Sequence, residues 1–205
     1  MAEILHLKNS LDSKDMFGMI QSMPDHLIDG ISIGQSADLH SLELESFNNI
    51  VVSGMGGSAI GGDIVRCYLS SELQIPFQVQ RHYALPGCVN LKTLVICSSY
   101  SGNTEETISA YGNVLDNGAK IVVISTGGKL GEMAAKDGVP LIKIKPGLPP
   151  RAALGYSVAP LLMLLYRLGL SQFSKEEIEE QQTKRLIINL EKKAMTNKPI
   201  KAANQ

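Results

Sequence analysis

The chain has 205 residues, 44% hydrophobic and 19% charged, enough to bury a large core without disulfide help. Nineteen basic and 20 acidic side chains leave a net charge of −1, and no basic stripe with interleaved aromatics occurs, so nucleic-acid binding is not expected. The cysteines, Cys67, Cys88 and Cys97, show no C-x-x-C spacing, which favours a reducing, cytoplasmic setting over a disulfide framework. Cys67 and Cys97 sit in apolar surroundings and are expected in the core. The first residues turn acidic by Glu3 and contain no apolar stretch, so no signal peptide is expected.

Residues 1–47 read as a helical lead-in, since Met16, Met19, Ile20 and then Leu39, Leu42 and Leu44 give short, weakly periodic apolar signals. From 48 to 146 one pattern recurs: a β-branched run, a Gly/Ser/Thr loop and a helical stretch. The runs are 50–52, 77–80, 94–97, 121–124 and 141–144, and the stretches 59–69, 105–115 and 130–136 have the length of crossover helices. Residues 81–92, with Pro86 and Gly87, read instead as a loop. Apolar strands alternating with helices predict an α/β domain, a doubly wound five-stranded parallel sheet flanked by helices, with extra N- and C-terminal helices. In such a domain ligands bind beyond the carboxyl ends of the strands.

Residues 147–195 read as a helical extension. Pro146-Gly147-Leu148-Pro149-Pro150 makes a rigid extended connector, and a helix is expected from about Arg151. The apolar segment 152–170 is a buried helix rather than a membrane span: its longest uninterrupted run, 158–166, falls short of the ~20 residues required and contains Pro160. A second helix is expected over 175–194, with Ser174 as N-cap and Glu176 and Glu177 in its first turn. Lys192 and Lys193 beside Glu191 then form a solvated face, and 196–205 reads as a linker.

The chemistry is expected in the strand-end loops. Ser53-Gly54-Met55-Gly56-Gly57-Ser58-Ala59 brings glycine backbone and a helix N-terminus to one place, as an anion site requires. It also matches the dinucleotide fingerprint G-x-G-x-x-G/A, but no carboxylate follows the second strand, where Gln80-Arg81-His82-Tyr83 stands. Arg81 leaves an NADP-binding reading open. Ser98-Ser99-Tyr100-Ser101-Gly102-Asn103-Thr104 offers the hydroxyls of Ser99, Ser101 and Thr104 and the amides around Gly102 as an uncharged cradle for a phosphate. The alternative for any one of them is an ordinary N-cap. Ser125-Thr126-Gly127-Gly128-Lys129 either touches the ligand or turns the chain, and Arg151 is either a ligand group or a surface arginine at a helix start. The scattered His6, His26, His40 and His82 form no metal-site pattern, and neither a P-loop nor a G-x-S-x-G elbow occurs.

Together, Gly54-Met55-Gly56-Gly57-Ser58, Ser99-Tyr100-Ser101-Gly102-Asn103-Thr104, Ser125-Thr126-Gly127-Gly128-Lys129-Leu130 and Pro149-Pro150-Arg151-Ala152-Ala153-Leu154-Gly155 resemble the sugar isomerase (SIS) superfamily. More narrowly they resemble its bifunctional phosphoglucose/phosphomannose isomerase branch, over residues 48–205. The resemblance implies a Rossmann-like SIS domain, the N-terminal of two, in a homodimer that interconverts glucose 6-phosphate or mannose 6-phosphate with fructose 6-phosphate through a cis-enediol, without metal or cofactor. By the motifs, Ser99, Ser101 and Thr104 would bind the phosphate, Gly57 and Ser58 would line the sugar site, and Arg151 would stabilise the enediolate.

The resemblance also implies a base, a ring-opening histidine and a lysine from a second domain, and no residue here matches them. The chain alone is therefore expected to bind hexose phosphates weakly and to isomerise them poorly, with 196–205 as a linker towards that second domain. A non-catalytic sugar-phosphate sensor and an NADP-binding oxidoreductase domain stand as alternatives. The apolar helix at 152–170 is expected to need cover from a partner or from the other half.

Overall fold

The computed structural model describes residues 11–172 apart from Leu44; the expected helix at 175–194 and the 196–205 linker lie outside the described residues. Two helices, α1 (Met16–Gln21) and α2 (Met23–Ser36), precede the sheet. Then β1 (Asn49–Ser53), α3 (Gly56–Tyr68), β2 (Phe77–Gln80), β3 (Thr93–Ser99), α4 (Glu105–Asn117), β4 (Lys120–Ser125), α5 (Gly128–Asp137) and β5 (Leu141–Lys143) follow in order. A single 3₁₀ turn, Pro150–Ala152, leads into α6 (Leu154–Arg167). All five strands are parallel, in the order β2-β1-β3-β4-β5.

The residue parity of the central strands divides the core. Ile50, Val52, Leu94, Ile96, Val122 and Ile124 project to one face, where they meet Leu27, Val65 and the α6 residues Leu161, Leu164 and Leu165. Their neighbours Val51, Val95, Cys97, Ile121 and Val123 project to the other, against Tyr111 and Val114 of α4 and Leu130 and Ala134 of α5. Every one of these strand residues removes a β-branched or comparably apolar side chain from water, which stabilises by about 1.5–3 kcal/mol each. This two-sided burial explains why the strands show no polar alternation.

The strands run further than their apolar cores. β1, β3 and β4 each extend into serines that the sequence pattern assigns to loops: Ser53, Ser98 with Ser99, and Ser125. The ladder continues through them, with Ser99 paired to Ser125, and all four are buried. A hydroxyl that finds a hydrogen bond can enter a strand end, so loss of hydrophobicity does not mark the boundary there.

The segments before and after the sheet pack on one another. From Gly155 to Leu165 α6 is buried, covered by α2, α3 and the sheet within this chain. Its apolar surface therefore needs no cover from a second copy or another domain, which corrects the expectation from sequence. Close approach depends on glycines. A Cβ at Gly34 would lie 2.6 Å from Met163 Cβ, and one at Gly61 would lie 2.5 Å from Ser157 Cβ. At the end of α2 the Arg167 guanidinium donates to the Gly34 and Ala37 carbonyls, at 3.1 and 2.5 Å, taking up acceptors that the helix leaves free. Cys97 is buried, but Cys67 is exposed, because it lies on the outer face of α3 near its end.

Two glycine-to-alanine changes should have opposite signs. At Gly112 in α4 the space around a new Cβ is open, so Gly112→Ala should stabilise by about 0.5–1 kcal/mol through helix propensity. At Gly34 the same propensity gain is outweighed by overlap with Met163, and Gly34→Ala should destabilise by roughly 1–3 kcal/mol. Urea unfolding followed by circular dichroism checks both.

Candidate functional site

In the strand order β2-β1-β3-β4-β5 the chain winds one way from β1 and the other way from β3. The crevice of such a sheet opens at that reversal, beyond the carboxyl ends of β1 and β3. The loops ending these two strands meet there. A Cβ at Gly54 would stand 2.9 Å from the Ser98 carbonyl oxygen and 3.2 Å from Ser58 Cβ, so only glycine lets them close. Ser58 is buried in the first turn of α3. Gly57 faces the connector, where a Cβ would lie 2.9 Å from the Pro150 carbonyl oxygen.

After β3 two of the three hydroxyls expected to hold an anion are bonded to each other. Ser99 Oγ and Thr104 Oγ1 are 2.8 Å apart, and Ser99 Oγ also accepts the Gly102 amide at 3.1 Å. Thr104 occupies the N-cap position of α4, yet its hydroxyl makes no capping bond to the helix, so capping does not explain it. Ser101 is exposed, with Oγ accepting the Asn103 amide at 3.2 Å. The N-cap residues of α3, α4 and α5 make no side-chain capping bond at this edge of the sheet. The amide ends of α3 and α4 suit an anion, with Glu105 and Glu106 offsetting part of the field of α4, whereas the Lys129 and Leu130 amides of α5 are taken by Asn103 Oδ1 and the Gly102 carbonyl.

The loop after β4 braces the loop after β3. Gly102 adopts φ +72°, and a Cβ there would overlap the Gly127 carbonyl. Its own carbonyl accepts the Leu130 amide at 2.9 Å, while Asn103 Oδ1 accepts the Lys129 amide at 3.0 Å. The Thr126 amide donates to the Tyr100 carbonyl at 3.1 Å. Sequence reasoning passed over Asn103, which differs from its serine and threonine neighbours in reaching the backbone of another loop.

Arg151 is exposed on the 3₁₀ turn, one residue beyond the Pro150 carbonyl that Gly57 approaches. Among the described residues no hydrogen bond joins it to Ser99, Ser101 or Thr104. The structure thus brings Ser99 to Thr104, Ser58 to the end of β3, and Gly57 to the Arg151 turn, while Ser101 and Arg151 stand exposed around them. The connector upstream of that turn is anchored from α2, where Asp29 Oδ2 takes bonds from Lys145 Nζ at 2.5 Å and from the Tyr156 hydroxyl at 2.9 Å. The Lys145 bond first, and the Tyr156 bond next, hold the Asp29 carboxyl below its ordinary range.

Elsewhere the chemistry is quieter. Burial pushes the Cys97 thiol up to about 12, which marks a core residue rather than a nucleophile. Arg81 is ion-paired with Asp63 of α3, so the cation that an NADP 2′-phosphate would need is already engaged. A cavity of about 290 Å³ lined by Arg66, Cys67, Ser70, Leu73, Ile75 and Phe77 opens at the amino edge of the sheet, away from these loops. It lacks the helix N-termini and the hydroxyl pair, and its volume alone does not make it the site. Among the described residues no group of three or more His, Cys, Asp or Glu is placed to hold a metal ion, and no helix is long and apolar enough to cross a membrane.

No family model matches the chain. It is 48% identical over 165 residues to the bifunctional phosphoglucose/phosphomannose isomerase of Caldicellulosiruptor bescii, covering 80% of this chain and 48% of that protein. A protein of the same description from Thermoplasma acidophilum is 43% identical over 127 residues, covering 62% and 39%. The chain belongs to the bifunctional phosphoglucose/phosphomannose isomerase family. It spans less than half the length of these two relatives. In fold it is similar to the C-terminal domain of glucosamine-fructose-6-phosphate aminotransferase from Francisella tularensis, with a TM-score of 0.64 at 18% identity over 87% of this chain and 54% of that one. The loops described above are thus this family member's strand-end loops.

Two measurements test the geometry. Gly102→Ala should cost about 2 kcal/mol or more, from a left-handed backbone and the overlap with Gly127, seen as a lowered urea midpoint. A depressed carboxyl stabilises the fold above its unfolded pKa and stops doing so as pH falls through its folded pKa. Asp29→Asn should therefore lower the melting temperature at neutral pH, and the gap from the parent should close as pH drops below the ordinary carboxylate value of 3.8.

Proposed function

We propose that this chain binds hexose 6-phosphates and supplies the phosphate-holding and enediolate-stabilising part of an aldose–ketose isomerase site. The observation that carries the reading is the Ser99–Thr104 hydroxyl pair beside the left-handed Gly102, at the uncapped start of α4. The hydroxyl that donates within the pair can turn its proton to a phosphate oxygen and the other can donate its own, with the Ser101 hydroxyl and the amide end of α4 as further donors. Kinship to isomerases acting on glucose and mannose phosphates supports a six-carbon substrate.

In the proposed reaction the aldose loses the proton on C2 to a base and its carbonyl oxygen gains one, giving the cis-enediol. Returning a proton to C1 while the C2 hydroxyl becomes a carbonyl yields fructose 6-phosphate, and no electron leaves the sugar. The Arg151 guanidinium would face the oxygens that become anionic as the carbon proton departs, and Gly57 and Ser58 would line the sugar. No residue matched by the family motifs offers the base, so proton transfer is the step this chain performs poorly. The free thiols Cys67, Cys88 and Cys97 support a cytoplasmic setting. Assembly as a homodimer rests on the family resemblance alone, now that α6 is covered within the chain.

Calorimetric titration with fructose 6-phosphate and with fructose tests the binding reading. The phosphorylated sugar alone should bind, and Ser99→Ala or Thr104→Ala should weaken it by about 5- to 30-fold, as for one or two lost hydrogen bonds. Equal affinity for the two sugars would sink it. In a coupled assay, turnover by the 205-residue chain should fall several orders of magnitude below ordinary enzyme rates.

A further inference from the structure

Tyr100 stands inside the phosphate loop, between Ser99 and Ser101, but its side chain leaves that loop for the connector. The ring is half-buried against the larger core cluster beside Leu148. Its hydroxyl donates to the Lys145 carbonyl at 2.9 Å and accepts the Leu148 amide at 3.1 Å. One oxygen thereby closes a backbone loop whose turn is made at Gly147, with φ +107°. Burial first of all raises the Tyr100 phenol above its ordinary range, so the proton needed for the donor bond is retained at neutral pH.

The same connector continues without a break into Pro149, Pro150 and Arg151. Two consecutive prolines fix φ at each step, so a displacement at Leu148 passes on to the arginine turn instead of being absorbed between them. Across that turn the Pro150 carbonyl sits where only a glycine, Gly57, permits it. Among the described residues, the hydrogen bonds from side chains to backbone atoms of 145–150 are the two made by the Tyr100 hydroxyl. The upstream anchor, Lys145 on Asp29, acts through a long flexible side chain.

We propose that Tyr100 is a positioning residue: its hydroxyl clamps the connector so that the Arg151 guanidinium keeps a fixed place relative to the phosphate held by Ser99, Ser101 and Thr104. The inference rests on the functional reading above. It goes beyond that reading by coupling the two ends of the substrate through one side chain that touches neither. An amide-and-hydroxyl cradle recognises phosphate by itself, so the clamp should matter only for ligands long enough to reach Arg151.

The test is Tyr100→Phe in the full chain, which keeps the ring and removes both bonds. Inorganic phosphate should bind Y100F within about twofold of the parent. A phosphorylated aldonohydroxamate, which carries the charge of the enediolate at the far end, should bind about tenfold more weakly, as expected for loss of roughly one effective hydrogen bond at the arginine. In an Arg151→Ala background the Tyr100→Phe effect on the hydroxamate should vanish, because the two residues act in series. The Leu148 amide should also exchange faster with deuterium in Y100F. Equal weakening for both probes, a loss that persists without Arg151, or unchanged Leu148 exchange would each overturn the inference. A parent chain that binds neither probe overturns the functional reading and this inference with it. A parent that binds both while Y100F matches it overturns this inference alone.

Discussion

Where a side chain at Gly102 would begin, the carbonyl of Gly127 already stands. That close approach locks the loop after β3 onto the loop after β4, and the rest of the site follows from it. With Gly102 held left-handed, its amide turns back to Ser99 Oγ and its carbonyl out to Leu130. Ser99 is thereby kept within reach of Thr104 across the first turn of α4. Asn103, pulled to the Lys129 amide, fixes the backbone between them. Gly102 and Asn103 are placed by contacts with the segment after β4, and they in turn set Ser99 and Thr104 through bonds within the loop.

The choice of donors has consequences for charge. The inner pair is two neutral hydroxyls, and the fields around it oppose each other. The amide ends of α3 and α4 attract an anion, whereas Glu105 and Glu106 in the first turn of α4 repel one. On the proposed reading, a phosphate held this way would be gripped by direction more than by net charge, which favours exchange of substrate and product over tight retention. Arg151, exposed on the separate 3₁₀ turn, carries the positive charge that these hydroxyls lack. On the proposed reading, recognition of phosphate and stabilisation of developing charge elsewhere on the sugar fall to different parts of the chain.

Much of this was legible beforehand. The five strands are where the β-branched runs place them, because a sheet buried on both faces needs continuous apolar stretches, and the crossover helices follow with ends shifted by a few residues. Three features were not legible. The strand ends run on into Ser53, Ser99 and Ser125, since hydroxyls satisfied across the sheet hide the boundary. The cover for α6 comes from α2, whose weak periodicity concealed that Gly30 and Gly34 form a contact stripe of backbone rather than of large side chains. Cys67 reads as core from its apolar neighbours, but its place on the helix surface is set by α3's rotation, which glycines at 56, 57, 61 and 62 blur. In the candidate site, residue spacing pointed to Ser99, Ser101 and Thr104 as a group, of which Ser99 and Thr104 lie 2.8 Å apart, whereas Tyr100 and Asn103 act across loops at separations that no local pattern reveals.

Packing and chemistry are closed to different degrees in this chain. Among the described residues α2, α3 and α6 cover one face of the sheet, α4 and α5 the other, and the most apolar helix is buried from Gly155 to Leu165. The proposed site is a different matter. Its residues offer hydroxyls, amides and a guanidinium, which on that reading would hold anions and favour their formation, but removing a proton from carbon requires a base aligned with the substrate. Glu105 and Glu106, the carboxylates beside the phosphate loop, belong to the first turn of α4, where their charge interacts favourably with the helix end. On the proposed reading, ligand affinity belongs to these loops while turnover depends on an aligned base, and mutations in the loops should be read first as changes in binding.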